Sequence, residues 1–472
     1  MAISRTLLLA TAAAAVLLPF ATARTYRGDS SAPVCIVGAG PSGLTSAKAL
    51  EDKGREVVIF EKRATVGGKC QSYYNKGRYY PLGAVLFTNS DGYADTYDLV
   101  QRTGVPFEPF ESIPQWTYDP NTGSTGLSIT TTEEVLELQA ELARYTELWK
   151  SLFSVFAVPA YQNGVPPELA APARDWFLAN NLTAIAAIMN RVWGDFGYGP
   201  ITETPALYYL RSAQPDIVAS LLGVVDSFTV DFHEVFSRVA KTIKGRIHLN
   251  AEIKSIDRTQ KQPTVTYTVG GRGKPRTQRC SDVILAFPPT LAALSEANLQ
   301  LSPGETEIFS QVVTNSYFAS AVKMSSLSHN VSLRQELPGP TTPYDGEGRP
   351  VYIRRVHEDG DILSVWSVDK IGQPDSVEVA RELLPEVLSR VNKNVSDPAA
   401  EGKRVANRDV LAFSGQVDYF PHVGTVDLLD GWYEKYNGLQ GETHTYYTSG
   451  LNQFEFVEYA VRAATDLVDA YF

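Results

Sequence analysis

Val34-Cys35-Ile36-Val37-Gly38-Ala39-Gly40-Pro41-Ser42-Gly43 decides the fold. Four apolar residues in a row are what a buried parallel strand requires. A glycine-rich turn follows at once, and Leu44 to Lys53 reads as a helix with Leu44, Ala47 and Leu50 on one face. Gly54 ends that helix, and Val57-Val58-Ile59-Phe60 forms the next strand, closed by Glu61. Strand, turn, helix, strand and acid together make a complete βαβ dinucleotide fingerprint. Gly38 permits the tight turn, Gly40 lets the backbone approach a pyrophosphate, and Gly43 lets helix pack on strand. The helix start then faces the phosphates. Glu61 stands 23 residues after Gly38, where a carboxylate grips ribose hydroxyls.

Beyond Glu61 comes Arg63-Ala64-Thr65-Val66-Gly67-Gly68-Lys69. The pair Gly67 and Gly68 lets backbone pass close to a phosphate-ribityl chain, and Lys69 adds a point charge. With this second glycine pair the chain resembles the flavin amine oxidase superfamily. The resemblance implies FAD as cofactor, with Ile253 touching adenine through its backbone and Gly83 and Ala84 beside the flavin. It further implies that Gly450 and the start of the last helix, at Val457, close the flavin site. That helix N-terminus would face the flavin pyrimidine, where negative charge develops on reduction. The superfamily usually carries an acid after the glycine matching Gly450, and here Leu451 stands there. No cysteine occupies the superfamily's C-terminal attachment position, so non-covalent FAD is expected. The chain has no second GxGxxG, which argues against an internal NADPH site.

The implied fold class is α/β: a Rossmann-like FAD-binding domain interleaved with a mixed-sheet substrate domain and a helical insertion. The expected divisions are 1–23 signal peptide, 24–95 first FAD part, 96–245 helical insertion, 246–295 second FAD part, 296–425 substrate sheet and 426–472 C-terminal FAD part. Thr131-x-x-Glu134 is a capping box. Behind it Val135, Leu138, Leu142, Tyr145, Trp149 and Leu152 recur at helical spacing, which reads as core. Strands are expected over 282–287, stopped by Pro288-Pro289, and over 318–323, 351–356 and 362–368, and helices over 376–392 and 456–471.

The 472 residues hold 53 acidic against 42 basic side chains, a net charge of -11. With no Lys/Arg run, nucleic acid and anionic membranes are poor partners. Three cysteines cannot build a disulfide framework, and no Cys/His cluster signals a metal. Arg5, the apolar run Leu7 to Phe20 and Ala21-Thr22-Ala23 read as a cleaved secretory signal. A secreted or secretory-pathway protein without a stable membrane anchor is expected. Sequons at Asn181, Asn330 and Asn394 agree with a glycoprotein.

Other stretches carry a narrower resemblance: Gly67-Gly68-Lys69-Cys70-Gln71-Ser72 with Tyr79-Tyr80-Pro81-Leu82-Gly83-Ala84, Phe196-Gly197-Tyr198-Gly199, and Tyr419-Phe420-Pro421-His422-Val423 with Gly431-Trp432-Tyr433-Glu434-Lys435. These are similar to the bacterial polyenoic fatty acid isomerases, flavoenzymes that move double bonds. A looser likeness is to beta-cyclopiazonate dehydrogenase, a fungal flavoenzyme of secondary metabolism that closes a ring oxidatively. In both chemistries a C–H bond held over the flavin gives up hydride. The isomerases place a basic residue near the segment matching Pro106 to Tyr118, and here that segment has no Lys or Arg. A fatty carboxylate thus loses its expected clamp, which favours an uncharged, apolar or polycyclic substrate.

Four side chains are candidates for the chemistry. Tyr419 and Tyr447 sit where amine oxidases place aromatic walls, or are plain core aromatics. His422 is a proton acceptor or a capped loop histidine. Lys323 is the lysine that holds a water at the flavin, or a solvent-facing strand lysine. The leading expectation is a secreted FAD oxidoreductase performing dehydrogenation or oxidative cyclisation. The alternatives are a redox-neutral double-bond isomerase, an amine oxidase, and a flavin-binding protein without turnover.

Overall fold

The computed structural model describes residues 32–271, 273–369 and 376–472. The expected signal segment, 1–23, lies outside the described residues. The fingerprint folds as read: Val34–Val37 and Val57–Phe60 are strands flanking the helix Pro41–Asp52. They belong to a five-stranded parallel sheet ordered Arg246–His248, Val57–Phe60, Val34–Val37, Val283–Leu285, Thr445–Tyr447. Its three central strands are apolar throughout because helices cover the sheet. Val34, Cys35, Ile36, Ile59, Val283, Ile284 and Leu285 are all fully buried. The last helix, Val457–Tyr471, packs on Pro41–Asp52 and brings the chain's end back to the first turn.

The second large sheet has seven strands, in the order Val410–His422, Val313–Lys323, Ile362–Asp369, Glu347–Arg354, Ser332–Gln335, Gln115–Tyr118, Thr125–Leu127. It is antiparallel except where Ser332–Gln335 meets Gln115–Tyr118. One face is closed by the helix Ser376–Val391, whose Leu384, Val387 and Leu388 pack on Leu333, Ile353 and Leu363. The segment 96–245 is therefore not only helical. It gives the last two strands at one end of this sheet, and Phe107–Pro109 and Ser227–Val230 pair in a small sheet with Leu86–Thr88. The capping box forms as expected: Thr131 caps Thr132–Leu148 with Glu134 answering its backbone N–H.

A disulfide joins Cys35 to Cys280. Three cysteines are too few for a framework, and two of them make this one bond. Cys35 pairs across the sheet with Val283, which brings Cys280, three residues earlier in the chain, within reach.

Candidate active site

One cavity of about 2200 Å³ runs between the parallel sheet and the seven-stranded sheet. Single-ligand sites span roughly 300–1,000 Å³, so there is room for a dinucleotide and a second large molecule. Gly38, Gly40, Glu61, Gly68, Lys69, Gly83, Ala84, Ile253, Gly450 and Val457 all line it.

Gly43 and Gly67 do not line it. A Cβ on Gly43 would lie 2.0 Å from the Gly38 carbonyl oxygen, so its work is helix–strand packing. Gly67 has φ 103°, and a Cβ there would meet the Cys70 carbonyl at 2.8 Å. Gly40 and Gly68 face each other across the crevice, with a Cβ on Gly68 falling 2.9 Å from the Gly40 Cα. Such bare backbone at a helix start that no side chain caps fits a pyrophosphate. Glu61 is buried and held by two backbone N–H groups, Ala39 at 2.8 Å and Arg63 at 2.8 Å. Its oxygens keep lone pairs for ribose hydroxyls. These residues fit FAD, and a flavin held there supplies hydride acceptance.

The middle of the cavity is aromatic. Tyr419 is stacked between Tyr317 at 4.7 Å and Tyr198 at 5.7 Å, with interplanar angles of 21° and 18°. Gly197 makes room for this stack, since a Cβ there would meet the Tyr317 ring at 2.5 Å. Tyr352 and Trp366 form a second stacked pair on the cavity wall.

Of the four candidate catalytic residues, the cavity receives Tyr419 alone. His422 is buried in the core, its Nδ1 within 2.9 Å of the Phe420 carbonyl and its ring stacked on Phe420. Burial pushes its pKa down to about 4, so it stays neutral. Tyr447 donates its hydroxyl to Glu305 at 2.6 Å, a carboxylate that also pairs with Arg258. Lys323 is exposed at the end of its strand. The signal that separates these residues from Tyr419 is tertiary: each sits in the right segment but on a side turned away from the cavity.

Charged groups missed in the sequence appear at two places. Arg334 pairs with buried Asp195 at 2.5 Å and lies over the Tyr352 ring, and both line the cavity. Burial raises the Asp195 carboxyl against the pull of Arg334. Arg354 lies 4.0 Å over the ring of Phe110 and donates to the Glu111 carbonyl. The segment Pro106 to Tyr118 has no base of its own, but Arg354 reaches into it from another strand. The expectation that this end of the site lacks a cation is corrected by that contact. The stripe read as core also divides: Leu138 and Tyr145 are buried, but Val135 is only half-buried and faces the cavity, and Leu152 is exposed.

At the inner end Lys69 donates to Glu455 at 2.8 Å and to the Asp418 carbonyl at 2.7 Å. Burial opposes the Lys69 charge, but Asp418 and Glu455 outweigh it and raise its pKa. Burial raises the Glu455 carboxyl, with Lys69 opposing.

A parallel nucleotide sheet, two facing glycine turns and an aromatic cavity define a flavin-dependent oxidoreductase. Residues 41–327 match the model of the flavin containing amine oxidoreductases, and the chain belongs to that family. It is 23% identical to the FAD-dependent oxidoreductase oblC of Cochliobolus heterostrophus, covering 88% of this chain and 86% of that one. It is also 23% identical to beta-cyclopiazonate dehydrogenase of Aspergillus flavus, over 89% of this chain and 88% of that one. Among solved structures, the CLA-producing fatty acid isomerase from P. acnes shares the fold at TM-score 0.78. The identity is 21%, over 94% of this chain and 99% of that one.

Proposed function

We propose that this FAD oxidoreductase removes hydride from a largely apolar, flat small molecule, leaving a desaturated or ring-closed product. The observation that carries the reading is the Tyr317–Tyr419–Tyr198 stack on the cavity wall, with Tyr352 and Trp366 beside it. Flat surfaces at the cavity wall orient a planar molecule and exclude water from the reacting carbon. The test is anaerobic. The flavoprotein is mixed with polyunsaturated fatty acids, amines and indole-type polycyclic compounds in turn, with the flavin band followed and the products weighed. Lasting bleaching by a polycyclic compound, with a product lighter by two hydrogens, is expected. An unbleached flavin with an isomer of unchanged mass overturns the reading.

A second reading, double-bond isomerisation of a polyunsaturated fatty acid, is favoured by Arg354. A guanidinium braced on Phe110, with no carboxylate paired to it among the described contacts, suits a substrate carboxylate. Arg354→Met separates the two. On the fatty acid reading it raises KM at least tenfold for the acid and leaves the methyl ester unchanged. A simple amine oxidase gains nothing from Lys323, which stands outside the cavity.

The same proposal places the protein in the secretory pathway, with FAD bound non-covalently. Support comes from the Cys35–Cys280 disulfide, a bond favoured in oxidising compartments. Asn181, Asn330 and Asn394 are all exposed, as glycan acceptors must be. Mass spectrometry of secreted material, before and after deglycosylation, tests the route. An intact Met1 on cell-retained protein overturns it.

A further inference from the structure

Lys69 follows the glycine pair that borders the nucleotide crevice, and its charge reads from sequence as a phosphate contact. The structure commits it elsewhere. An ammonium has three N–H donors. One goes to Glu455 Oε1 at 2.8 Å and one to the Asp418 carbonyl at 2.7 Å. The nearest remaining acceptor is Asp418 Oδ1 at 3.7 Å, and Nζ lies 5.5 Å from the centre of the Tyr419 ring. All of these partners but Glu455 belong to one short piece of strand, Asp418-Tyr419.

That piece of strand is bent. Phe420 has φ 47°, a conformation that costs an aromatic residue about 1–3 kcal/mol and persists only when its surroundings impose it. The pairing of Val313–Lys323 with Val410–His422 slips register on both sides of Asn315, which faces Tyr419. Glu455 stands just before the last helix, and its Oε2 lies where a Cβ on Gly450 would be 2.5 Å away. Gly450 thus makes room for Glu455. Both members of the pair are largely buried, with Lys69 22% and Glu455 10% exposed in their side chains.

We propose that Lys69 and Glu455 are positioning residues. The pair ties the glycine-pair turn and the approach to the last helix to the bent end of strand Val410–His422, and so holds Tyr419 in its stack between Tyr317 and Tyr198. The aromatic wall of the substrate site is then registered to the flavin cradle by an ion pair. The inference rests on the reading of that wall as the substrate surface, and its test is arranged so that each can fail separately.

The test compares Lys69→Met, Glu455→Gln and the double variant with the wild type. The first readout needs no turnover: the near-UV circular dichroism of the tyrosine stack in flavin-free and flavin-loaded protein. Each single variant is expected to lose at least half of that signal. The double variant should lose no more than the worse single, because the pair acts as a unit. FAD stoichiometry should stay at the wild-type value. The second readout is indole, titrated against the flavin absorption band, with affinity expected to fall about tenfold in all three variants. Lys69→Met losing FAD while Glu455→Gln keeps it would return Lys69 to a phosphate role and overturn the inference. Wild-type dichroism in both single variants overturns it equally. If wild-type protein fails to perturb its flavin band with indole while the dichroism falls as expected, the substrate-wall reading fails and the positioning role stands.

Discussion

Gly40 and Gly43 are three residues apart in one turn, and alanine at each should abolish flavin retention for different reasons. A Cβ on Gly43 would sit 2.0 Å from the Gly38 carbonyl oxygen, with the Gly38 carbonyl carbon at 3.0 Å and the Ala286 Cβ at 3.2 Å. Carbon and oxygen in ordinary contact stand about 3.3 Å apart, so the helix Pro41–Asp52 must lift by roughly 1.3 Å. Overpacking of that kind costs about 1–3 kcal/mol. A Cβ on Gly40 meets only the Gly68 Cα, at 3.5 Å, an ordinary contact. Gly40 has φ -80° and ψ -175°, which any residue adopts, so the flavin-free fold tolerates alanine there. What the methyl fills is the crevice between Gly40 and Gly68. Losing two charge-assisted hydrogen bonds to a pyrophosphate, at about 1.5–3 kcal/mol each, weakens FAD by at least a hundredfold. The assay pairs thermal melts of flavin-free protein with FAD titration by fluorescence quenching. Gly40→Ala should melt within about 1 °C of wild type, since such substitutions are near neutral in stability. It should nonetheless bind FAD at least a hundredfold more weakly. Gly43→Ala should fail in both measurements. Wild-type FAD affinity in Gly40→Ala would refute the placement of the pyrophosphate. Equal loss of melting temperature in both variants would refute the division of roles.

Four further outcomes follow from side chains outside the cavity. Replacing both Cys35 and Cys280 by alanine opens a loop of 245 residues. The chain-entropy account gives about 5 kcal/mol for such a loop and measured values cluster near 2–4, so a clear fall in melting temperature is expected. A non-reducing peptide map that finds both thiols unlinked would refute the bond. His422 has a folded pKa of about 4 against the ordinary 6.5, so between those values the unfolded chain binds the extra proton. Its contribution is full above about pH 6.5 and is lost as pH falls towards 4, about 3 kcal/mol in all. His422→Gln should therefore flatten the acid side of the stability profile, and an unchanged profile would refute the burial argument. Lys323→Met should leave the rate of flavin reduction unchanged. Tyr447→Phe should keep flavin at a cost of about 1 kcal/mol, the worth of one buried hydrogen bond. A tenfold slower reduction in Lys323→Met would return that lysine to the chemistry.

The nucleotide half was legible because its parts are local. Val34 to Glu61 holds strand, turn, helix, strand and acid in one run, and each residue type answers a need within a few residues of itself. Thr131 with Glu134 was legible for the same reason. The substrate half was not. Arg354 meets Glu111 across 243 residues, Lys69 meets Glu455 across 386, and Cys35 meets Cys280 across 245. No local period records such pairs. Periodicity told which residues of Thr132–Leu148 share a face, but not that a cavity covers the Val135 and Leu138 end of it. His422 and Tyr447 lie within three residues of Tyr419 and Gly450 respectively, yet strand pleat and a backbone bend send them into the core.

This asymmetry bears on why a dehydrogenase and an isomerase both resemble the chain at 21–23% identity. The cradle is written in a local grammar: Gly38, Gly40, Gly43, Glu61 and the Gly67-Gly68 pair. Those residues bind a flavin and say nothing about what becomes of the hydride. On the proposed reading, the outcome is set by groups brought together over long range, such as the tyrosine stack, Arg354 on Phe110 and the Lys69–Glu455 tie. Fold and cofactor can therefore be shared across enzymes whose products differ, and substrate choice has to be argued from those long-range contacts. Arg354 is the sharpest of them, because it is a cation on the cavity wall that, unlike Arg334 and Lys69, has no carboxylate paired to it among the described contacts. Whether it meets a carboxylate divides the two chemistries: a fatty acid needs that clamp, and a neutral polycyclic molecule leaves it idle.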